Sequence, residues 1–90
     1  MTAPQPTTVV TVLTQQNCAS CERAKQVLDR VATAYPLSTH EVSLDTPPGR
    51  ELALKHGVMF APGVLLDGAL FSYGRLSERK LRRTLTRRGG

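Results

Sequence analysis

Residues 8–21 read T-V-V-T-V-L-T-Q-Q-N-C-A-S-C, and the change of pattern inside this stretch decides the fold. Thr8 to Thr14 is rich in β-branched residues and mostly apolar, which suits a strand buried on both faces, as in a parallel sheet. Gln15, Gln16 and Asn17 break the run. From Cys18 a helical period takes over: Cys21, Ala24, Leu28, Val31 and Tyr35 recur at helical spacing, with Val27 beside them. Glu22, Arg23, Lys25, Gln26, Asp29 and Arg30 mostly occupy the other faces. The pattern predicts an amphipathic helix packing one stripe on a sheet, ended by Pro36.

Working outward, Ser38 to Leu44 alternates weakly and reads as a second strand. Asp45-Thr46-Pro47-Pro48-Gly49 reads as a loop, with Thr46 a possible N-cap and a proline just after it. A short helix should follow, with Leu52, Ala53 and His56 on one face and Gly57 as its stop. Val64-Leu65-Leu66 is an apolar strand, Asp67-Gly68 a strong two-residue hairpin signal, and Ala69 to Tyr73 the returning partner. Gly74 breaks that strand. Ser77 can cap a final helix whose apolar residues are Leu81 and Leu85. The order is β-α-β-α-β-β-α, an α/β fold. The first βαβ unit should be parallel, and the hairpin should add two antiparallel strands. The expected architecture is a four-stranded mixed sheet flanked by three helices, formed by one domain over residues 8–88 after a disordered lead over residues 1–7.

A chain of 90 residues can bury one modest core. With no Trp, two Phe and two Tyr, that core must be mostly aliphatic. No stretch approaches the roughly 20 apolar residues of a membrane span, and Met1 to Thr8 has neither the basic nor the apolar region of a secretory signal. A cytoplasmic location is expected, with no membrane partner.

Two cysteines stand three positions apart, as Cys18-Ala19-Ser20-Cys21. In a reducing compartment a close pair is more often redox-active or metal-binding than structural. Position strengthens the redox reading, because the motif falls just after a buried strand and at the start of a helix. A helix N-terminus carries unpaired N–H groups and partial positive charge. A cysteine there can have its pKa lowered from about 8.5 to roughly 3.5–7.5, and the thiolate is the attacking species in disulfide exchange. Cys18, at the mouth of the helix, is the candidate nucleophile. Cys21, one turn in and on the apolar stripe, should be more buried and resolve the mixed disulfide. A structural zinc site usually needs four ligands. Besides the two Cys only His40 and His56 are available, on different predicted elements and without the usual spacing, so no metal ligand is assigned. A two-thiolate site for a soft metal such as Cu(I) is the rival binding-module reading.

A second segment carries a family resemblance. Lys55-His56-Gly57-Val58-Met59-Phe60-Ala61-Pro62-Gly63 resembles the thioredoxin segment that runs from the second helix to a cis-proline. Val64-Leu65-Leu66-Asp67-Gly68 continues it, and Gly74-Arg75-Leu76-Ser77 resembles the glycine and helix start that follow. With Cys18 and Cys21 the resemblance covers residues 8–88. Within the thioredoxin/glutaredoxin superfamily the chain is most similar to the short bacterial and archaeal thioredoxin-like redox-active disulfide proteins. The resemblance implies a thioredoxin fold and reversible dithiol–disulfide exchange through Cys18 and Cys21. It implies a cis Ala61-Pro62 peptide beside the cysteines, with the Ala61 backbone pairing with an extended substrate and Pro62 shielding the thiolate. No cofactor is implied. The expected partners are a disulfide-containing protein or small-molecule substrate and an upstream reductase or glutathione as electron donor, with the chain acting as a monomer.

The chain also departs from those relatives. Asn17 and Ala19-Ser20 stand where thioredoxins carry Trp and Gly-Pro. Thr8 to Thr14 holds no acid to assist Cys21. Gln15-Gln16 and Ser72-Tyr73-Gly74 do not match the upstream Lys and the late Gly-Gly or Cys-Asp pair of glutaredoxins. A glutathione-dependent glutaredoxin is the alternative enzymatic reading.

The net charge of +5 is concentrated at one end. Arg75, Arg79, Lys80, Arg82, Arg83, Arg87 and Arg88 face Glu78 alone. Without a nucleic-acid motif or stacking aromatics, this stripe reads as a solvated helix face that complements its own C-terminal dipole. No nucleic-acid partner is expected, docking to an acidic protein is the main remaining option, and the terminal Arg87-Arg88-Gly89-Gly90 reads as a frayed tail.

Overall fold

The computed structural model describes residues 6–89. The chain forms β1 (Thr8–Thr14), α1 (Ala19–Val31), β2 (Leu37–Ser43), α2 (Pro47–His56), β3 (Gly63–Leu66), β4 (Ala69–Tyr73) and α3 (Glu78–Gly89). Of the lead expected over residues 1–7, residues 1–5 lie outside the described ones, while Pro6 and Thr7 are exposed and irregular.

The sheet order is β2-β1-β3-β4. β1 pairs with β2 in parallel, Thr8 to Leu37 through Thr14 to Ser43. β3 runs antiparallel to β1, with Val10 against Leu66 and Leu13 against Gly63. The Asp67-Gly68 turn has φ of 49° and 84°, the doubly positive geometry that matches the twist of a two-residue hairpin. Asp67 also ties the hairpin back to β1: its N–H donates to the Val9 carbonyl, and the Val9 N–H donates to its Oδ1, each at 2.8 Å. Between β3 and β4 the register shifts, so that Val64 faces Ser72 but Leu65 faces Leu70. Phe71 is therefore the extra residue of a bulge in β4, and it packs against the core.

One aliphatic cluster holds the layers together. Val10 and Val12 of β1 and Val64 and Leu66 of β3 meet Ala24, Val27, Leu28 and Val31 of α1 and Leu81 and Leu85 of α3. Each Leu so buried stabilises the fold by about 1.5–3 kcal/mol. Leu13 and Leu65 alternate to the opposite face of the sheet and are also buried. There Val58, on the chain leaving α2, comes within 3.0 Å of where a Cβ on Gly63 would stand.

Three expectations are corrected. α1 ends at Val31, not at Pro36. Both Ala34 and Tyr35 donate to the Val31 carbonyl at 3.0 Å, and Thr33 turns its hydroxyl back onto the Arg30 carbonyl at 2.7 Å. This local hydrogen bonding replaces another helical turn and sends Tyr35 toward Thr86 of α3. α2 starts earlier than expected, at Pro47. A missing N–H costs nothing in the first turn, so Pro47 to Gly49 are helical and not loop, while Thr46 caps the helix as expected. Its Oγ1 accepts from the Gly49 N–H at 3.2 Å and donates to the Ser43 carbonyl at 2.6 Å. Finally, the C-terminus is not frayed at Arg87 and Arg88. Both are helical, and Arg88 pairs with Asp67; Gly90 lies outside the described residues.

Candidate active site

β1 is central and buried, so its C-terminal end is a fixed platform from which Gln15 to Asn17 carry the chain into α1. Asn17 takes φ of 55°, a left-handed conformation that asparagine tolerates better than most residues. Cys18 follows in an extended conformation and caps α1. Its Sγ accepts from the Cys21 N–H at 3.1 Å, and its carbonyl accepts from the Glu22 N–H at 3.2 Å. The two sulfurs are joined as a disulfide with the Cα atoms 5.2 Å apart. Burial differs between them: Cys21 is 1% exposed, whereas Cys18 is half-buried at the surface. One turn of helix thus holds an accessible sulfur and a shielded one together at a positive helix end.

The Ala61-Pro62 peptide is cis. Gly63 pairs with Leu13, one residue before β1 ends, so the topology brings Ala61 and Pro62 to the sheet end from which the chain leaves toward Cys18. Pro62 is fully buried and Ala61 half-buried. The Pro62 carbonyl accepts from the Gly74 N–H at 2.7 Å. Gly74 has φ of 82°, and a Cβ there would meet the Phe60 ring at 3.0 Å. Phe60 in turn meets Tyr73 edge-to-face, with centroids 5.2 Å apart. Aromatic pairing of this kind adds about 0.5–1.5 kcal/mol beyond burial. The loop that carries Ala61 and Pro62 is therefore buttressed by the end of β4, and Met59 and Phe60 leave apolar surface exposed beside it.

Two hollows flank the C-x-x-C. One is a polar depression around Cys18, lined by Gln15, Asn17 and Glu22 and by Glu41 of β2. Lys25 bridges its acids, 3.0 Å from Glu22 and 3.5 Å from Glu41. The hydrogen bond that Lys25 donates to Glu22 raises the Lys25 pKa, opposed by partial desolvation. The other is a wider groove on the far side of Ser20, between α1 and the start of α3. Among the described residues, no three of His, Cys, Asp and Glu converge as metal ligands. His40 stays on β2 near the Ser38 hydroxyl, at 3.3 Å, and His56 ends α2.

Sequence reading of the basic terminus as one solvated face missed how its charges divide. Arg82 reaches Glu78 at 3.0 Å and Arg30 of α1 reaches the same carboxylate at 2.9 Å. Hydrogen bonds from Arg30 and then Arg82 hold the Glu78 carboxyl below its ordinary pKa. Arg75 and Arg79 instead line the groove, opposite Arg23. The Phe60–Tyr73 pair was also missed, because its members belong to a loop and a strand separated by the hairpin.

A family model described as a thioredoxin domain matches residues 8–86. No curated protein matches the chain. Among solved structures, a mutant thioredoxin from Halobacterium salinarum NRC-1 superimposes with a TM-score of 0.71 at 20% identity, covering 92% of this chain and 75% of that one. A structure described only as a malarial protein gives 0.66 at 20% identity, covering 93% and 98%. An uncharacterized thioredoxin-like protein from Clostridium perfringens gives 0.71 at 16% identity, covering 97% and 75%. At these identities the likeness is one of fold.

Proposed function

Because this chain belongs to the thioredoxin domain family, we propose that it is a thiol–disulfide oxidoreductase in which Cys18 attacks and Cys21 resolves. In the reduced protein the Cys18 thiolate attacks one sulfur of a substrate disulfide. A mixed disulfide forms, and the other substrate sulfur leaves as a thiolate. Cys21 then loses its proton and attacks the Cys18 sulfur, forming the Cys18–Cys21 bond and releasing the second substrate thiol. Two electrons and the Cys21 proton pass from the protein to the substrate, the first leaving thiolate takes its proton from water, and an upstream dithiol donor restores the starting state. In this reading the Ala61 backbone pairs with the substrate strand, and Pro62 follows it at the sheet end from which the chain leaves toward Cys18.

One observation carries this reading: the sulfur of the half-buried Cys18 accepts the Cys21 N–H at 3.1 Å. A backbone donor at a helix end favours negative charge on that sulfur, while burial keeps Cys21 from outside reagents until a mixed disulfide brings the target to it. The test is a pair of variants with a model protein disulfide. Cys21→Ser should trap a mixed disulfide at Cys18, and Cys18→Ser should abolish exchange while leaving the fold intact by circular dichroism. If neither thiol of the reduced protein is alkylated faster than free cysteine at neutral pH, the reading fails.

A further inference from the structure

The groove beyond Ser20 has a volume of about 910 Å³, near the upper end of the roughly 300–1,000 Å³ that small-ligand sites occupy. It starts inside the C-x-x-C and runs between α1 and the first residues of α3. Its floor includes Val27 and Leu76, both buried. Four arginines line it, Arg23 and Arg30 from α1, Arg75 and Arg79 from the other wall, against the single carboxylate of Glu78. That carboxylate is already engaged, by Arg30 at 2.9 Å and by Arg82 at 3.0 Å. Among the described residues, Arg23, Arg75 and Arg79 have no ion-pair partner. All three are exposed, and Arg23 donates instead to the Ser20 hydroxyl at 3.2 Å, between the two cysteines in sequence.

A lone exposed arginine is ordinary. Three of them on the rims of one concavity, with the only acid neutralised, are a different electrostatic object: single-sign charge over low-dielectric walls focuses the field and raises the local concentration of anions. Guanidinium forks match carboxylates in geometry. A hollow of this volume, with buried Val27 and Leu76 in its lining and cationic rims, fits a peptide carrying acidic side chains better than a compact inorganic anion, which would leave the apolar part uncovered.

We propose that this groove receives an acidic polypeptide segment of the partner, so that Cys18 and Cys21 exchange fastest with disulfides flanked by Asp or Glu; this rests on the exchange reaction above and names its substrate class. The experiment uses the full chain and three disulfide-bridged peptides that differ only in flanking Glu, Ser or Lys triplets. Their reduction rates by the reduced protein are measured at low and at 0.5 M salt. Binding of a fluorescent, cysteine-free Glu-rich peptide to the oxidised protein is followed by anisotropy. At low salt the Glu-flanked peptide should react about tenfold faster than the Ser-flanked one, and high salt should erase the difference. Arg75→Gln with Arg79→Gln should cut that preference to about twofold and weaken the anisotropy signal. Arg83→Gln with Arg87→Gln removes the same charge from outside the groove and should preserve the preference.

Equal rates for all three peptides would overturn the proposal while leaving the exchange reaction standing. An effect of the outer pair as large as that of the groove pair would overturn it too, since net charge alone would then explain the preference. No exchange with any peptide, but arginine-dependent binding of the Glu-rich one, would remove the reaction and keep the groove. A single-stranded oligothymidylate that binds more tightly, with the same dependence on Arg75 and Arg79, would overturn it in favour of a nucleic-acid site.

Discussion

α1 and α2 begin with the same device. In each, a side chain just before the helix accepts the N–H of the residue three further on: Cys18 Sγ from Cys21 at 3.1 Å, Thr46 Oγ1 from Gly49 at 3.2 Å. Below the caps they diverge. α1 buries Cys21, Ala24, Val27, Leu28 and Val31, whereas α2 buries only Gly49, and its Leu54 is 85% exposed. The Thr46 hydroxyl satisfies one orphan donor of its helix and ties the helix start to the Ser43 carbonyl. A sulfur cap likewise satisfies a donor and is also a redox centre, provided the helix beneath it cannot drift. The difference teaches that the reactivity proposed for Cys18 depends on the aliphatic stripe several residues downstream as much as on the C-x-x-C.

The sharpest way to break this contrast is to remove packing from each helix in turn. Leu28→Ala should destabilise the protein by about 2–5 kcal/mol, as large-to-small core changes do. Leu54→Ala should stay within about 0.5 kcal/mol, as exposed substitutions usually do. Urea unfolding measures both, and equal costs would mean that α2 is anchored as firmly as α1. Next in size comes Gly49→Ala. A Cβ at that point would overlap the Ser43 carbonyl and come within 3.1 Å of the Leu44 Cα. Backbone must shift, so a loss of about 1–3 kcal/mol is expected despite the better helix propensity of alanine; a stabilised variant would show that α2 moves freely.

Thr46→Ala should cost about 1 kcal/mol by loss of the cap and leave the rate of disulfide exchange unchanged. A fall in that rate would show that the two helix starts communicate. Smallest is the effect of Glu78, which ties α1 to α3 through Arg30. A carboxyl whose folded pKa is lowered adds stability above its unfolded value, ordinarily 4.5, and that contribution disappears as pH falls through the lowered value. The gap in urea midpoint between the protein and Glu78→Gln should therefore be flat near neutral pH and close below about pH 4.5. Because the group is partly exposed, salt should shrink the gap as well.

The legible parts of the chain are those whose signals are local. Thr8–Thr14 and Ala69–Tyr73 match their strands to the residue, because β-branched and apolar runs end against Gln15-Gln16 and Gly74. The Asp67-Gly68 turn and the Ser77 cap are matters of two to four adjacent residues; the Ser77 hydroxyl does accept from the Lys80 N–H, at 3.2 Å. Misread were the places where two local signals compete. Tyr35 keeps helical spacing, yet the Thr33 hydroxyl and the pull toward Thr86 end α1 first. Pro47 and Pro48 look like loop residues and serve as a helix's first turn. At the candidate site, the C-x-x-C and Ala61-Pro62 stand out in the sequence. The groove does not, because Arg23 and Arg75 are far apart along the chain and only the packing of α1 beside α3 sets them across from each other.

The bulge at Phe71 bears on how the molecule behaves in company. β4 is an edge strand, and a straight outer edge would offer its free N–H and C=O groups as a template for any extended chain, including another copy of this one. With one residue added, the outward groups fall out of step partway along and the local twist increases. A neighbouring strand can match only part of that edge before the ladder fails. The same inserted ring that fills the core from one side thus discourages unwanted stacking from the other.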